Sequence, residues 1–348
     1  MPAASEGGGP VEQRRRPTLQ SSQQSGLPTV SAVIPAYNAA ETIERALDSV
    51  YAQTYPNIIE VIVVDDGSTD GTAQIVGQSY PMARLFRQEN AGCGAAYNAG
   101  VAEASGDYVA FLDADDVWLP TKIEWQMRYA VTCPGLVFLT CREITVPVGQ
   151  RPMENDGVPG LHHFTFRDWL RGRAFRAGIS LSNSGWLFHR PTYEAVGGLD
   201  ESPPRHFCVD FEMAVRASSL GYGTAALQSG LFIRYMQEQS VSQGSRSNVK
   251  RAQVACMVVR RYDPRSNPDG PTLLSDKEYA EILRYYLLHL FYHLELEGDV
   301  EEAKEVAREV RTLGGGGMER AVATVGSWWP ALPATVVKML GGRSRPRL

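Results

Sequence analysis

Two short acidic segments hold the side chains best suited to chemistry. Asp113-Ala114-Asp115-Asp116 follows the apolar run 108–112, and Asp65-Asp66 closes the run 58–64 before Gly67-Ser68-Thr69-Asp70-Gly71. Carboxylates packed so closely repel one another, and the arrangement persists most easily where a cation or ligand hydrogen bonds offset the repulsion. An all-oxygen set suits Mg or Mn, and with few protein ligands such an ion keeps positions open for diphosphate oxygens. On its own, Asp113-Ala114-Asp115 is also an ordinary turn sequence. Its place behind a buried strand, together with the second acidic loop, is what points to a metal site.

The surrounding pattern supplies elements that would position both loops. Residues 30–37 form a short β-branched apolar run bounded by Pro28 and Asn38, the mark of a buried strand. Ile43, Ala46, Leu47, Val50 and Tyr51 then recur at helical spacing across 40–52. The alternation continues with a strand at 58–64, a helix capped by Asp70 and running through Val76, and a strand at 83–86. A helix at 94–104 and a strand at 108–112 follow. Strands buried on both faces and alternating with helices predict an α/β fold: a doubly wound, mainly parallel sheet with helices on both faces. Ligands of such sheets bind beyond the strand carboxyl ends, which singles out the loops after Ile34, Val64 and Leu112.

Downstream, Thr121 and Glu124 have capping-box spacing before a helix carrying Ile123, Met127 and Ala130, and 136–146 reads as a strand. A polar loop with Pro152 and Pro159 spans 147–160. Ser275 and Glu278 repeat the capping box before a long apolar helix ending near Gly298, and Asp299 caps a last helix closed by Gly314 to Gly317. Three parts are expected: a disordered tail over 1–28, rich in Gly, Ser and Gln around Arg14, Arg15 and Arg16; the α/β domain over 29–248; and a helical region over 249–348.

Six motifs in order make the chain similar to a known family. They are Val33-Ile34-Pro35-Ala36-Tyr37-Asn38; Val63-Val64-Asp65-Asp66-Gly67-Ser68-Thr69-Asp70; Asn90-Ala91-Gly92 leading to Asn98-Ala99-Gly100; Gly106-Asp107-Tyr108; Phe111-Leu112-Asp113-Ala114-Asp115-Asp116; and Val196-Gly197-Gly198-Leu199-Asp200-Glu201. Through them residues 30–242 resemble glycosyltransferase family 2, whose members adopt the GT-A fold and invert the anomeric centre. The resemblance implies a UDP-, GDP- or dTDP-linked sugar donor and a glycan, lipid-linked or small-molecule acceptor. It puts Pro35, Ala36, Tyr37 and Asn38 around the base, with Tyr37 stacking on it and Asp66 accepting from its edge. Asp65, Asn90, Gly94 and Ala114 belong to the same nucleotide-sugar surface, Asp113 to the ribose, and Asp115 to a Mg or Mn ion bridging the phosphates. Direct displacement then needs a base for the acceptor hydroxyl.

The matching downstream segment is Val209-Asp210-Phe211-Glu212, which makes Asp210 the candidate base, although Val209 stands where the family usually has Glu. Asp immediately before a helix is equally a favoured N-cap. Gln237 and Gln239 occupy the stretch where the family pattern offers a His, leaving Arg234 or Arg246 to pair with diphosphate. No Gln-x-x-Arg-Trp motif is present, which favours single transfer over polymerisation.

Other classes fit less well. A net charge of -5 over 348 residues gives no global attraction to nucleic acid. A dinucleotide fingerprint starting at Gly92 would need glycine where Tyr97 stands. His289 and His293 at i, i+4 read as packed core histidines rather than zinc ligands, with no third ligand nearby. The main rival from another class is a nucleotide-sugar binding module without catalysis. Five scattered cysteines without a CxxC pair, and the lack of an apolar leader, predict a cytoplasmic protein. Trp328-Trp329-Pro330 followed by Arg343, Arg345 and Arg347 combines aromatic and basic residues as a peripheral segment at the cytoplasmic face of a membrane would. Pro330 and Pro333 interrupt any long amphipathic helix there, which favours packing on the core.

Overall fold

The computed structural model describes residues 26–147, 157–201, 209–236, 246–266 and 273–313. Strand β1 (Val30–Ala36) is buried along its whole length, as its apolar sequence requires. It lies parallel between β2 (Ile58–Asp65) and β4 (Tyr108–Phe111), and β3 (Arg84–Arg87) adds in parallel to β2. Ala36 pairs with Asp65 and Val33 with Phe111, so the first two acidic loops leave the sheet at the same edge.

Beyond β4 the sheet becomes mixed. β8 (Leu187–His189) runs antiparallel to β4 and to β6 (Leu136–Pro147), while β9 (Gly223–Met236) runs parallel to β6. β5 (Asp116–Trp118) and β7 (Leu161–Phe164) both pair antiparallel with β9. Consequently Asp116 sits opposite Arg234, which brings a cation from β9 to the acidic loop.

Alternation along the strands divides the core in two. Ala32, Ile34, Val61, Val63 and Leu112 face α1 (Ile43–Tyr51), α2 (Thr72–Ser79) and α4 (Lys122–Thr132). Val33, Ile62, Val64 and Phe111 face α3 (Cys93–Ala102) and α8 (Val209–Ser219). α3 approaches so closely that a Cβ at Gly100 would lie 2.3 Å from Val33 Cγ1. The helices α9 (Ser247–Arg260), α10 (Asp276–Glu297) and α11 (Val300–Thr312) add Val259, Leu287, Phe291 and Val306 to the same apolar cluster as Phe211 and Val215 of α8.

The capping box of Ser275 and Glu278 forms as its spacing predicts, and α10 ends at Gly298 in the left-handed region. Its counterpart at Thr121 does not form. Glu124 instead accepts a 2.5 Å hydrogen bond from Thr54, because the turn after α1 packs against that helix start. Asp70 acts one residue earlier than expected: Oδ1 accepts from Thr72 N and Oγ1, Oδ2 accepts from Ala40 N, and Gly71 takes the N-cap position. α3 starts at Cys93 rather than Gly94. Among the described residues no helix is long and apolar enough to cross a membrane. The expected tail over 1–25, Pro152, Cys208, Gln237, Gln239, Gly314 to Gly317 and the segment from Trp328 to Arg347 lie outside the described residues.

Candidate active site

The first two loops are stitched into one platform. Asp66 N donates to Ala36 O, and Asn38, with a positive φ of 48°, accepts from Thr69 N at 2.9 Å while its own N–H donates to Ser68 Oγ. Pro35 is buried with Ala36 beside it, whereas Tyr37 is 53% exposed, an open aromatic face at the sheet edge. Asp65 is buried, with Oδ1 accepting from Ser68 N and Oδ2 from Arg87 Nε at 2.8 Å. Asp66 is also buried: Oδ1 accepts from Gln88 Nε2 and Ala91 N, and Oδ2 accepts from Gly92 N. Asp66 therefore shapes the loop of Asn90, which is itself exposed, while Asp65 shapes its own turn and holds Arg87, so only the lone pairs those bonds leave over are free for a ligand. Gly94 is backed by Leu199 and the Asp200 carbonyl, each 3.8 Å from where a Cβ would stand.

Asp113 is held from two sides. Tyr97 Oη donates to its Oδ1 at 2.8 Å, and the hydroxyls of Ser184 and Ser182 reach its Oδ2 at 3.3 and 3.4 Å. Burial and the neighbouring charge of Asp115 push its carboxyl up to about 6, against the opposing pull of those hydroxyls. Asp116, 2% exposed, is raised well above the carboxylate range by burial and then by the charges of Asp113 and Asp115. Asp115, beyond the small buried Ala114, is raised by burial while Arg234 and Arg45 pull it down. Arg45 also donates to the Asp115 carbonyl at 2.9 Å and stacks on the Tyr235 ring.

Among the described residues no three His, Cys, Asp or Glu side chains converge into a ready-made metal site. The donor set nonetheless fits a hard divalent ion: oxygens only, crowded enough to repel, and few enough that phosphate and water would complete the shell. Of the two arginines expected near the phosphates, Arg234 stands at the loop and reaches Glu143 at 3.4 Å, whereas Arg246 is drawn away to Asp299 at 2.5 Å. His289 and His293 pack with ring centroids 5.1 Å apart and planes tilted by 50°, and burial lowers His289 to about 4, as packed imidazoles require.

Asp210 lies in the first turn of α8, one residue inside the helix start, with Oδ1 accepting from Phe211 N. Burial raises its carboxyl to about 6, with Arg251 of α9 opposing and the charge of Asp113 adding. The fold thus brings Asp210 within electrostatic reach of the acidic loop. Cys93, at the start of α3, has its Sγ 4.0 Å from Asp113 Oδ1, and the walls around its thiol, then the charges of Asp113, Asp66, Asp115 and Asp210, push that thiol up. α8 is anchored by Glu212, which is buried and binds both Arg216 and Arg261 of the α9 C-cap, while Arg261 also binds Asp200. Arg216 donates to the carbonyls of Val196 and Gly198, where the φ of 66° and Asn98 Oδ1, 2.7 Å from a would-be Cβ, both call for glycine.

Sequence reasoning missed Tyr97, Ser182, Ser184, Arg45 and Cys93. Tyr97 had a signal, since i and i+4 spacing from Cys93 puts both on one face of α3. The serines had none, because 180–185 reads only as a polar turn.

A sequence model described as glycosyl transferase family 2 matches residues 31–188. An uncharacterized glycosyltransferase of Rickettsia felis is 47% identical over 103 residues, 29% of this chain and 17% of that protein. The putative teichuronic acid biosynthesis glycosyltransferase TuaG of Bacillus subtilis is 42% identical over 106 residues, 29% of this chain and 42% of its own length. The matched stretch thus spans well under two thirds of these relatives. Among solved structures, S. aureus TarS 1-349 in complex with UDP-GlcNAc superposes with a TM-score of 0.58 at 19% identity, over 89% of this chain and 83% of that one. The mannosyltransferase PcManGT from Pyrobaculum calidifontis, in complex with GDP-Man and Mn2+, gives 0.52 at 21% identity over 91% and 85%. At such identities the likeness speaks for a shared fold.

Proposed function

Because the chain belongs, through residues 31–188, to glycosyltransferase family 2, we propose that it transfers a sugar from a UDP-, GDP- or dTDP-linked donor to a hydroxyl of a glycan, lipid-linked or small-molecule acceptor, with inversion. The observation that carries this reading is that the loops of Asp66 and Asp113 leave the sheet at one edge, where Tyr97 and Ser184 hold the Asp113 carboxylate. The exposed ring of Tyr37 offers a base a stacking surface on the same edge.

In this reading Asp113 takes the ribose and Asp115 is the protein's ligand to Mg or Mn. When bound, that ion neutralises charge on the departing nucleoside diphosphate. Arg45 and Arg234, whose charges reach Asp115, add fixed positive potential to the same place. Asp210 accepts the proton of the acceptor hydroxyl as that oxygen attacks the anomeric carbon opposite the leaving group. With its carboxyl near 6 it is ionised at neutral pH and basic enough to be useful. The enzyme would work in the cytoplasm, and a lipid-linked acceptor would bring residues 328–347 to the cytoplasmic face of the membrane. Donor turnover by the wild type and Asp210→Asn tests the assignment: full activity in the variant removes Asp210 as base, and a metal-independent wild type removes the role of Asp115.

A further inference from the structure

Three successive backbone carbonyls beneath the acidic loop are each held by a side chain from one short stretch of chain. Trp118 Nε1 donates to Ser184 O at 2.9 Å, Gln126 Nε2 to Gly185 O at 2.7 Å, and Lys122 Nζ to Trp186 O at 3.4 Å. Lys122 and Gln126 are fully buried and Trp118 nearly so. A lysine at such depth ordinarily has a carboxylate beside it. Lys122 has instead the amide oxygen of Gln126 at 2.9 Å, the Trp186 carbonyl and the face of the Trp118 ring, 4.3 Å from its centroid. Burial lowers its amine to about 7, so this position weakens the charge rather than using it in an ion pair. A methionine would fill the space without that penalty, and what it would lack is the donors.

The held segment has no slack. A Cβ at Gly185 would lie 2.9 Å from Thr140 Oγ1 and 3.2 Å from the Phe232 ring, which presses the turn against β6 and β9. On its other side, Ser184 Oγ accepts from Asp113 N at 3.0 Å and reaches Asp113 Oδ2 at 3.3 Å. Ser184 is therefore pinned by its carbonyl below and meets the Asp113 carboxylate and backbone N–H above.

We propose that Lys122, with Trp118 and Gln126, is a positioning residue of the active site: the anchored carbonyls of 184–186 hold the Ser184 hydroxyl where it fixes Asp113 to receive the nucleoside diphosphate. The proposal rests on the donor reading given above. Lys122 touches no substrate in it and acts only through Ser184.

A double-mutant cycle on the full chain tests it. UDP, GDP and dTDP are each titrated with Mn2+ by calorimetry, and the tightest binder is carried forward. Lys122→Met and Ser184→Ala are each expected to weaken it about tenfold, and the double variant no further than the weaker single, since both break one linkage. Folding is followed by melting temperature. Folded Lys122→Met with wild-type affinity, or losses that multiply in the double variant, would overturn the proposal while leaving the donor reading intact. If Lys122→Met does not fold, Gln126→Met, which removes the donor to the neighbouring carbonyl, enters the same cycle with the same two outcomes. A wild type that binds none of the three diphosphates overturns the donor reading, and this proposal with it.

Discussion

Tyr97 donates its hydroxyl hydrogen to Asp113 Oδ1 at 2.8 Å, so a helix one βα unit upstream sets the direction of a carboxylate in the acidic loop. The ring is fully buried against Phe111, with centroids 4.6 Å apart, which fixes the hydroxyl in turn. Tyr97→Phe keeps the packing and removes the donor. Its stability in denaturant titration is expected to fall by about 1–2 kcal/mol, the cost of leaving a carboxylate short of one bond. Diphosphate affinity should fall with it; unchanged affinity would detach Tyr97 from the site.

Gly100 is where α3 comes closest to the sheet. Gly100→Ala puts a methyl 2.3 Å from Val33 Cγ1 and 3.3 Å from Val64 Cγ2, so the packed valines or the helix must shift to admit it. A loss of about 1–3 kcal/mol is expected by denaturant or thermal unfolding. An equally stable variant would mean that α3 can shift freely, and α3 could not then hold Tyr97 in place.

Much of this arrangement is legible from residue types. The runs that become β1, β2 and β4 are apolar enough to be buried on both faces, and the carboxylates directly after them are placed at the sheet edge by that fact alone. Asp210 could be named only through its motif. The short strands β5, β7 and β8 were not legible, since three or four residues hold too little pattern to register and their partners lie far along the chain, β9 for β5 and β7, β4 and β6 for β8. The Thr121 capping box failed for a similar reason: Thr54, distant in sequence, offers Glu124 a better partner.

The raised carboxyl of Asp210 makes activity pH-dependent with a definite sign. A base works ionised, so kcat/KM should climb about tenfold per pH unit below about 6 and level off above it. Folding gives the opposite slope. With the folded value about 6 and the ordinary, unfolded value 3.8, stability is full below the lower value and is lost as pH rises through the upper one. Asp210→Asn removes that decline, so its melting temperature at pH 8 should be no lower than the wild type's. A clear drop would show the carboxylate to be structural.

Residues 328–347 should leave bulk binding to vesicles unchanged if they pack on the core, and promote it if they meet a lipid surface. Co-sedimentation with anionic vesicles, comparing the full chain with one ending at Gly326, separates the two: a lipid-linked acceptor predicts greater recovery of the full chain, and equal recovery removes membrane contact.

The most direct test of the central claim is donor turnover in Mn2+ across a panel of UDP-, GDP- and dTDP-sugars, for the wild type and Asp210→Asn side by side. The expected result is turnover of at least one donor by the wild type, lost on chelation, with kcat in the variant lower by about 10²–10⁴-fold and diphosphate binding intact. Full activity in Asp210→Asn, or a wild type that binds the diphosphate but turns over no donor with any acceptor hydroxyl supplied, would contradict it.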